Sequence, residues 1–297
     1  MDIEKFKAIS PDLLENESMA KHTTFRVGGN ADVYVSVKSV EELSSLIKLA
    51  RESDTPFTVI GNGSNLLVKD KGIRGLVIEI GSGMSDIEIK GNRIYAEAGV
   101  LLSKIAAFAL NNSLSGIEEL SGIPGTLGGG ICMNAGAYGG ELKNVIKTVT
   151  YIDEYGEEKN VTADECEFGY RKSIFSSGGK YIVSAVLELS DGDKTEISAK
   201  MADYSKRRRE KQPLSLPSAG STFKRPEGYF AGALIEESGL KGYKSGGAMI
   251  SDLHAGFVVN YDNATAHDIL DVIKHAQNTV RDKFGVALET EVKIIGE

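Results

Sequence analysis

Apolar positions fall in short strand-like runs over the first two-thirds of the chain, and helical spacing appears only at a few places. Val33–Val37 and Phe57–Ile60 read as strands, and the apolar positions between them predict an amphipathic helix over Val40–Arg51. Further strands are predicted at Leu76–Ile80, Ser85–Ile89, Ile94–Ala98, Val149–Asp153 and Tyr181–Leu189, with a helix over Leu101–Leu110. A helical run, Ile197–Glu210, leads into Gln212-Pro213-Leu214-Ser215-Leu216-Pro217-Ser218, whose Pro/Ser content marks a boundary. Beyond it come a helix Phe230–Ser238, a strand Phe257–Asn260, a long helix Ala266–Phe284 and a last strand Glu289–Ile295. Strands and helices mix without regular βαβ alternation, which predicts an α+β fold. The pattern divides into residues 1–70, a small α/β unit, residues 71–200, mostly strands, and a C-terminal α+β part, 201–297.

Two loops interrupt this pattern. Residues 122–140, GIPGTLGGGICMNAGAYGG, hold eight glycines in nineteen positions, a density that implies close approach to backbone. Gly122-Ile123-Pro124-Gly125 is a turn signal, Leu127–Met133 is apolar, and Asn134-Ala135-Gly136 stops a helix. A short helix therefore starts beside Pro124-Gly125-Thr126, and free N–H groups at that start would favour an anion such as phosphate. Tight helix packing explains such a run equally well. The second loop, Ile60–Gly72, carries Gly61-Asn62-Gly63-Ser64-Asn65-Leu66, whose successive N–H groups suit an anion-cradling nest. Neither loop is a Walker A or a Rossmann fingerprint: no Gly-Lys-Ser/Thr follows, and no third glycine opens a helix.

Composition narrows the partners. A net charge of −8 and a pI near 5.3 argue against nucleic acid. No apolar stretch approaches the ~20 residues of a membrane span, and MDIEKFKAIS has no signal-peptide features, so a cytoplasmic protein is expected. Cys132 and Cys166 supply neither a disulfide framework nor metal-ligand spacing, and no metal is expected. Lys206-Arg207-Arg208-Arg209 reads as the solvated end of a helix.

An ordered set of motifs resembles the UDP-N-acetylenolpyruvoylglucosamine reductase family over nearly the whole chain. It comprises Thr24-Phe25-Arg26-Val27-Gly28-Gly29, Gly61–Leu66, Gly122–Gly129, Tyr170-Arg171-Lys172-Ser173, Ala219–Pro226, Ala231-Gly232, Gly239-Leu240-Lys241-Gly242 and Leu288–Val292. The resemblance implies an FAD-binding domain of the vanillyl-alcohol oxidase (PCMH) type, built from two α/β subdomains, with a C-terminal substrate domain whose last strand would return to the FAD region. Non-covalent FAD would lie against Gly61, Asn62, Gly63, Ser64, Asn65, Leu66, Gly122, Ile123, Pro124, Gly125, Thr126, Gly128, Gly129, Asn134 and Gly136. NADPH would be the reductant and UDP-N-acetylglucosamine enolpyruvate the substrate, in peptidoglycan precursor synthesis.

Three residues match the family's catalytic positions. Arg171 would hold the substrate carboxylate with its planar fork. Ser221 would give the proton, and Glu291, on a β-type segment, would assist. Tyr170, Lys211, Arg225, Lys241 and Tyr243 are the expected substrate contacts. His22 and His254 lie outside the matched motifs. The short segment between Tyr170 and Lys211 leaves no room for the uridine-covering loop of the longer subclass, so the chain resembles the shorter, type II subclass. Two other readings stay open: an alcohol or hydroxy-acid oxidase of the same fold, and a non-catalytic nucleotide-sugar or flavin binder. Arg171, Ser221 and Glu291 occurring together favour the reductase.

Overall fold

The computed structural model describes residues 1–297. The chain forms two compact units interleaved along the sequence. Met1–Glu15, Val33–Asn62 and Gly75–Arg207 make the first; Asn16–Asp32, Gly63–Arg74 and Arg208–Glu297 make the second. Both mix helix and sheet, as an α+β class requires.

The first unit is organised by an antiparallel five-stranded sheet, in the order Glu158–Thr162, Ile146–Asp153, Lys180–Glu188, Arg93–Glu97, Ile87–Lys90. Ala185 pairs with Val149 on one side and Ala96 on the other, and all three are buried. Strand alternation thus delivers one apolar face to the core. The outermost strand, Glu158–Thr162, is largely exposed, and its polar sequence gives no apolar alternation to predict it from. Elsewhere in this unit Phe57–Ile60 runs parallel to the Leu76–Glu79 stretch of Ile73–Glu79. The helix Val40–Glu52 buries Leu43, Leu46, Ile47 and Ala50, and Ser39 caps it by accepting the Glu42 N–H. Such a cap contributes about 1 kcal/mol.

The glycine-rich helix, Leu127–Cys132, packs on strand Lys180–Glu188. A Cβ at Gly128 would lie 3.0 Å from the Ala98 Cβ, and one at Gly130 would lie 2.8 Å from Leu142 Cδ1. Tight packing therefore accounts for these two glycines. A Cβ at Gly129 would meet only Thr126 Oγ1, at 3.5 Å.

The second unit gathers Phe25, Leu67, Phe223, Ile235, Val258, Ile269, Val272, Val280 and Val292 into its own core. A three-stranded antiparallel sheet, Lys244–Ser245, Ala248–Ile250 and Val258–Asn260, lies against the helix Ala266–Phe284. That helix opens with a reciprocal capping box between Thr265 and Asp268 and ends at Gly285. Asp70, from a distant loop, caps it a second time. One carboxylate oxygen accepts the Ala266 N–H at 2.7 Å and the other accepts the His267 N–H at 2.9 Å.

Two expectations change in this unit. Leu66–Val68, read as loop, is a strand pairing in parallel with Lys293–Ile295. The expected strand Glu289–Ile295 keeps regular pairing only at Lys293–Ile295. Ahead of it Thr290 makes an isolated bridge with Phe223, and Glu291 lies in the gap. The cause is local: the N–H groups of Glu291 and Val292 converge on one carbonyl, that of Thr222, at 2.8 and 3.5 Å. Two donors opposite one acceptor interrupt a ladder and re-aim the side chain, as a bulge does.

Candidate active site

In the first unit the candidate residues cluster around the glycine-rich helix. Asn62 Nδ2 donates to the Pro124 carbonyl at 2.7 Å, joining the two predicted loops. A Cβ at Gly61 would stand 2.5 Å from Thr126 Oγ1, so only glycine allows this approach. Some of the expected donors at the helix start are taken up by protein. Leu127 N–H bonds to the Val100 carbonyl at 2.8 Å, Gly128 N–H to Ala98 at 2.9 Å, and Gly129 N–H to the Thr126 hydroxyl at 3.4 Å. Thr126 is buried and caps its own helix. The N–H groups of Gly125 and Thr126, just ahead of that turn, have no acceptor within the protein, and the same holds in the Gly61–Asn65 loop. There the N–H groups of Gly61, Asn62, Gly63, Ser64 and Asn65 have no acceptor within the protein, although Gly63 is buried. A run of unpaired donors, one of them buried, needs an external acceptor.

Arg171 sits at the tip of a two-residue turn closed by reciprocal Gly169–Lys172 backbone bonds of 2.9 and 3.3 Å. Its φ of +54° is left-handed, a conformation costing of order 1–3 kcal/mol for a side-chain-bearing residue. Its guanidinium donates to the Gly136 carbonyl at 3.3 Å and stacks 5.1 Å from the Tyr170 ring centroid. Asn134 braces this turn. Its amide hydrogens go to the Gly169 carbonyl and to Glu141 Oε2, both at 3.0 Å, and its oxygen accepts the Lys143 N–H. Asn134 is buried and both its donors are used, so its side chain supports Arg171 and has no donor left for a cofactor. Ser173 and Ser176 add two bonds to the Cys132 carbonyl, of 2.8 and 2.7 Å. The Lys143 ammonium holds the Glu141 carboxyl below the usual carboxylate range, aided by Asn134 and by the charge of Arg171, with burial opposing them.

In the second unit Ser221 and Glu291 belong to one hydrogen-bonded ladder. Thr222, fully buried, donates its N–H to Gly256 O at 2.8 Å and accepts the Val258 N–H on its hydroxyl at 2.9 Å. Its carbonyl takes the Glu291 N–H. Ser221, one residue upstream, is exposed and its hydroxyl makes no bond to the protein. Glu291 is half-buried, and its carbonyl accepts from Asn65 Nδ2 at 3.2 Å. Asn65 in turn accepts the Lys293 N–H at 2.9 Å on its own carbonyl. Gly63, at φ +60°, packs so closely on the His22 carbonyl that any Cβ would overlap it.

The comparisons with known proteins give the decisive observation. The chain is 51% identical to the UDP-N-acetylenolpyruvoylglucosamine reductase of Alkaliphilus oremlandii, over 98% of this chain and 96% of that protein. The enzyme of the same name from Clostridioides difficile is 51% identical over 96% of this chain and 94% of its own. This chain belongs to the UDP-N-acetylenolpyruvoylglucosamine reductase family. Residues 212–295 of this reductase match the pattern described as the C-terminal domain of that family, and residues 31–162 match an FAD binding domain. The crystal structure of the Thermus caldophilus reductase superposes with a TM-score of 0.82 at 36% identity, covering 95% of this chain and 98% of that one.

The remaining expected contacts of this reductase are dispersed. Tyr170 is half exposed beside Arg171 in the first unit. In the second, Arg225 stacks 4.0 Å from the exposed Phe230 ring, Lys211 ends its helix exposed, and Lys241 pairs with Glu236 at 2.6 Å. Tyr243 stacks on His275 at 4.0 Å. His254 Nδ1 accepts the Gly256 N–H at 3.0 Å, and the Gly256 carbonyl accepts the Thr222 N–H. Burial pushes the His254 pKa down, and the positive charge of Lys241 pushes the same way. A neutral imidazole accepting at Nδ1 carries its proton on Nε2. Sequence reasoning set His254 aside and gave no role to Thr24 or Asp70. Only the conspicuous TFRVGG motif pointed toward Thr24. Among His, Cys, Asp and Glu side chains, no group of three is placed to hold a metal. No helix is long and apolar enough to cross a membrane.

Proposed function

We propose that this chain reduces the enolpyruvyl ether of UDP-N-acetylglucosamine to the lactyl ether of UDP-N-acetylmuramate, with FAD as cofactor and NADPH as reductant, in the cytoplasm. The observation that carries the reading is the 51% identity, extending over 98% of the chain, to reductases of that name. The residues present fit FAD: the unpaired N–H groups of Gly61–Asn65 suit its pyrophosphate, and Gly61 and Gly63 keep side chains out of the loop. When bound there, FAD would supply the hydride chemistry for reduction of the substrate's terminal methylene carbon.

The chain's own residues handle the charge and proton that this addition demands. As electrons move into the enolpyruvyl group, negative charge grows on its carboxylate. Arg171, whose loop is braced by Asn134, is suited to grip that carboxylate bidentately, and a pre-set guanidinium pays little reorganisation. Ser221, exposed and without an internal partner, gives its proton to the adjacent carbon. Glu291, joined through backbone to Thr222, lies on the Ser221 ladder and supports proton delivery. One hydride and one proton add across the double bond, so the product gains two electrons and two hydrogens.

Rapid mixing separates the steps. NADPH should bleach the yellow enzyme, and the enolpyruvyl sugar nucleotide should restore the colour. Ser221→Ala should leave bleaching intact and slow recolouring by about 10²–10⁴-fold. Recolouring within a few-fold of wild type would remove Ser221 from the mechanism. An enzyme recoloured rapidly by oxygen, and not by the sugar nucleotide, would be an oxidase.

A further inference from the structure

The TFRVGG segment has no part in the chemistry above, yet it holds the loop that carries Ser221. Thr24 makes two bonds in opposite directions. Its N–H donates to the Gly63 carbonyl at 3.3 Å, and its hydroxyl donates to the Ser218 carbonyl at 2.6 Å. The first ends on the anion-binding loop and the second lies three residues before Ser221. The next residue on each side is held too. Asn260 Nδ2 donates to the Phe25 carbonyl at 3.1 Å, and the Asn260 N–H donates to the Pro217 carbonyl at 2.9 Å. Phe25 is fully buried in the core of the second unit, so this support is anchored.

Downstream of Ser221 lies the Thr222 anchor, with bonds from its N–H, hydroxyl and carbonyl. Between the two anchors Gly220 has φ +74° and open space around its Cα. The loop Ala219-Gly220-Ser221 is therefore a short span fixed at both ends with one permissive joint inside. Such a span keeps its tip in place only while both ends hold. The downstream anchor is buried and multiply bonded, whereas upstream the Ser218 carbonyl, one residue beyond the Pro217–Asn260 backbone bond, is held by one half-buried hydroxyl.

We infer that Thr24 is a positioning residue: its hydroxyl fixes the upstream end of the Ser221 loop, and its N–H ties that end to Gly63, so that cofactor loop and proton-donor loop keep one register. This rests on Ser221 being the proton donor. Thr24 touches neither reacting atom and acts through the placement of the Ser221 hydroxyl.

The test uses the FAD-loaded enzyme and two conservative variants. Thr24→Val keeps the branched shape and loses the donor to Ser218; Thr24→Ser keeps the donor and loses a methyl. We expect Thr24→Val to slow recolouring by the enolpyruvyl sugar nucleotide about tenfold or more than it slows bleaching by NADPH, because misplacement by about 1 Å costs on the order of 10²-fold. Thr24→Ser should recover most of that loss. In a Ser221→Ala background Thr24→Val should add little, since the group it positions is gone. Should Thr24→Val not fold, Thr24→Ala supplies the same comparison.

Equal losses in both half-reactions, no rescue by serine, or full additivity with Ser221→Ala would overturn the inference. If Ser221→Ala itself recolours normally, the proton-donor reading fails and takes this one with it. If Ser221→Ala is slow and Thr24→Val is normal, only the role of Thr24 fails.

Discussion

Glu291 donates its N–H to the carbonyl of Thr222 at 2.8 Å, which places the acidic residue and the residue following Ser221 on opposite sides of one hydrogen bond. The bond is backbone to backbone, so changing the Glu291 side chain leaves the ladder standing. That separates chemistry from architecture at this position.

Glu291→Gln should therefore keep the unfolding midpoint within a few degrees of wild type and retain FAD. Recolouring by substrate should fall by about tenfold or more, as expected when a group assisting proton transfer loses its charge. Stopped-flow absorbance of the flavin reports it directly. A change below twofold would leave Glu291 as a structural residue of the bulge.

Arg171→Lys retains a positive charge at the tip of the Gly169–Lys172 turn and loses the planar fork. Carboxylate charge grows toward the transition state, so the loss should appear mainly in the rate of recolouring and less in substrate binding. Single-turnover mixing over a range of substrate concentrations distinguishes the two. Unchanged rates at saturation would assign Arg171 to the surface and to its contact with Gly136.

Gly63→Val combines an unfavourable φ of +60° with overlap on the His22 carbonyl. It should lose stability by more than about 1 kcal/mol and purify with substoichiometric flavin. Acid precipitation of wild type should release yellow FAD into the supernatant. A fully loaded Gly63→Val protein would contradict the placement of the pyrophosphate on this loop.

Asp268 carries a testable pH signature. Hydrogen bonding from the Thr265 N–H is the main cause holding its carboxyl below the ordinary value of 3.8; the Gly247 N–H and Thr265 hydroxyl add to it, and burial opposes. Because the folded-state pKa is depressed, its stabilisation is complete above 3.8 and disappears as pH falls through the lower folded value. Asp268→Asn should be less stable than wild type at pH 7 and nearly indistinguishable from it once both are well below that range. Denaturant midpoints at the two pH values decide it; a constant difference would assign the effect to shape rather than charge.

Regular elements with strong periodicity were legible in the sequence. Phe57–Ile60 and the helix Ala266–Phe284 appear with the expected bounds, because alternation or a capping residue marks their ends. Leu66–Val68 was not legible: three apolar residues after a glycine turn carry no period, and only Lys293–Ile295, far along the chain, makes them a strand. The helix at Leu127 was legible; the pairing of its Leu127 and Gly128 N–H groups was not, because Val100 and Ala98, whose carbonyls accept them, lie outside any local motif. The motifs named Arg171, Ser221 and Glu291 as candidates. They said nothing of Asn134 or Thr24 as braces, since a brace is defined by its partner's position in space.

The pairing of Leu66–Val68 with Lys293–Ile295 also sets an order of events during synthesis. A ribosome finishes the Gly61–Asn65 loop early, yet the strand that follows it has no neighbour until residues 293–295 emerge. Asp70 likewise waits for the helix beginning at Ala266. A nascent chain stopped short of those residues would carry every glycine of the loop and lack the framework that shapes it. Flavin colour in a growing or truncated product is thus expected to report that residues 293–295 have emerged, and an early stop codon near residue 290 should give a colourless protein rather than a weakly active one.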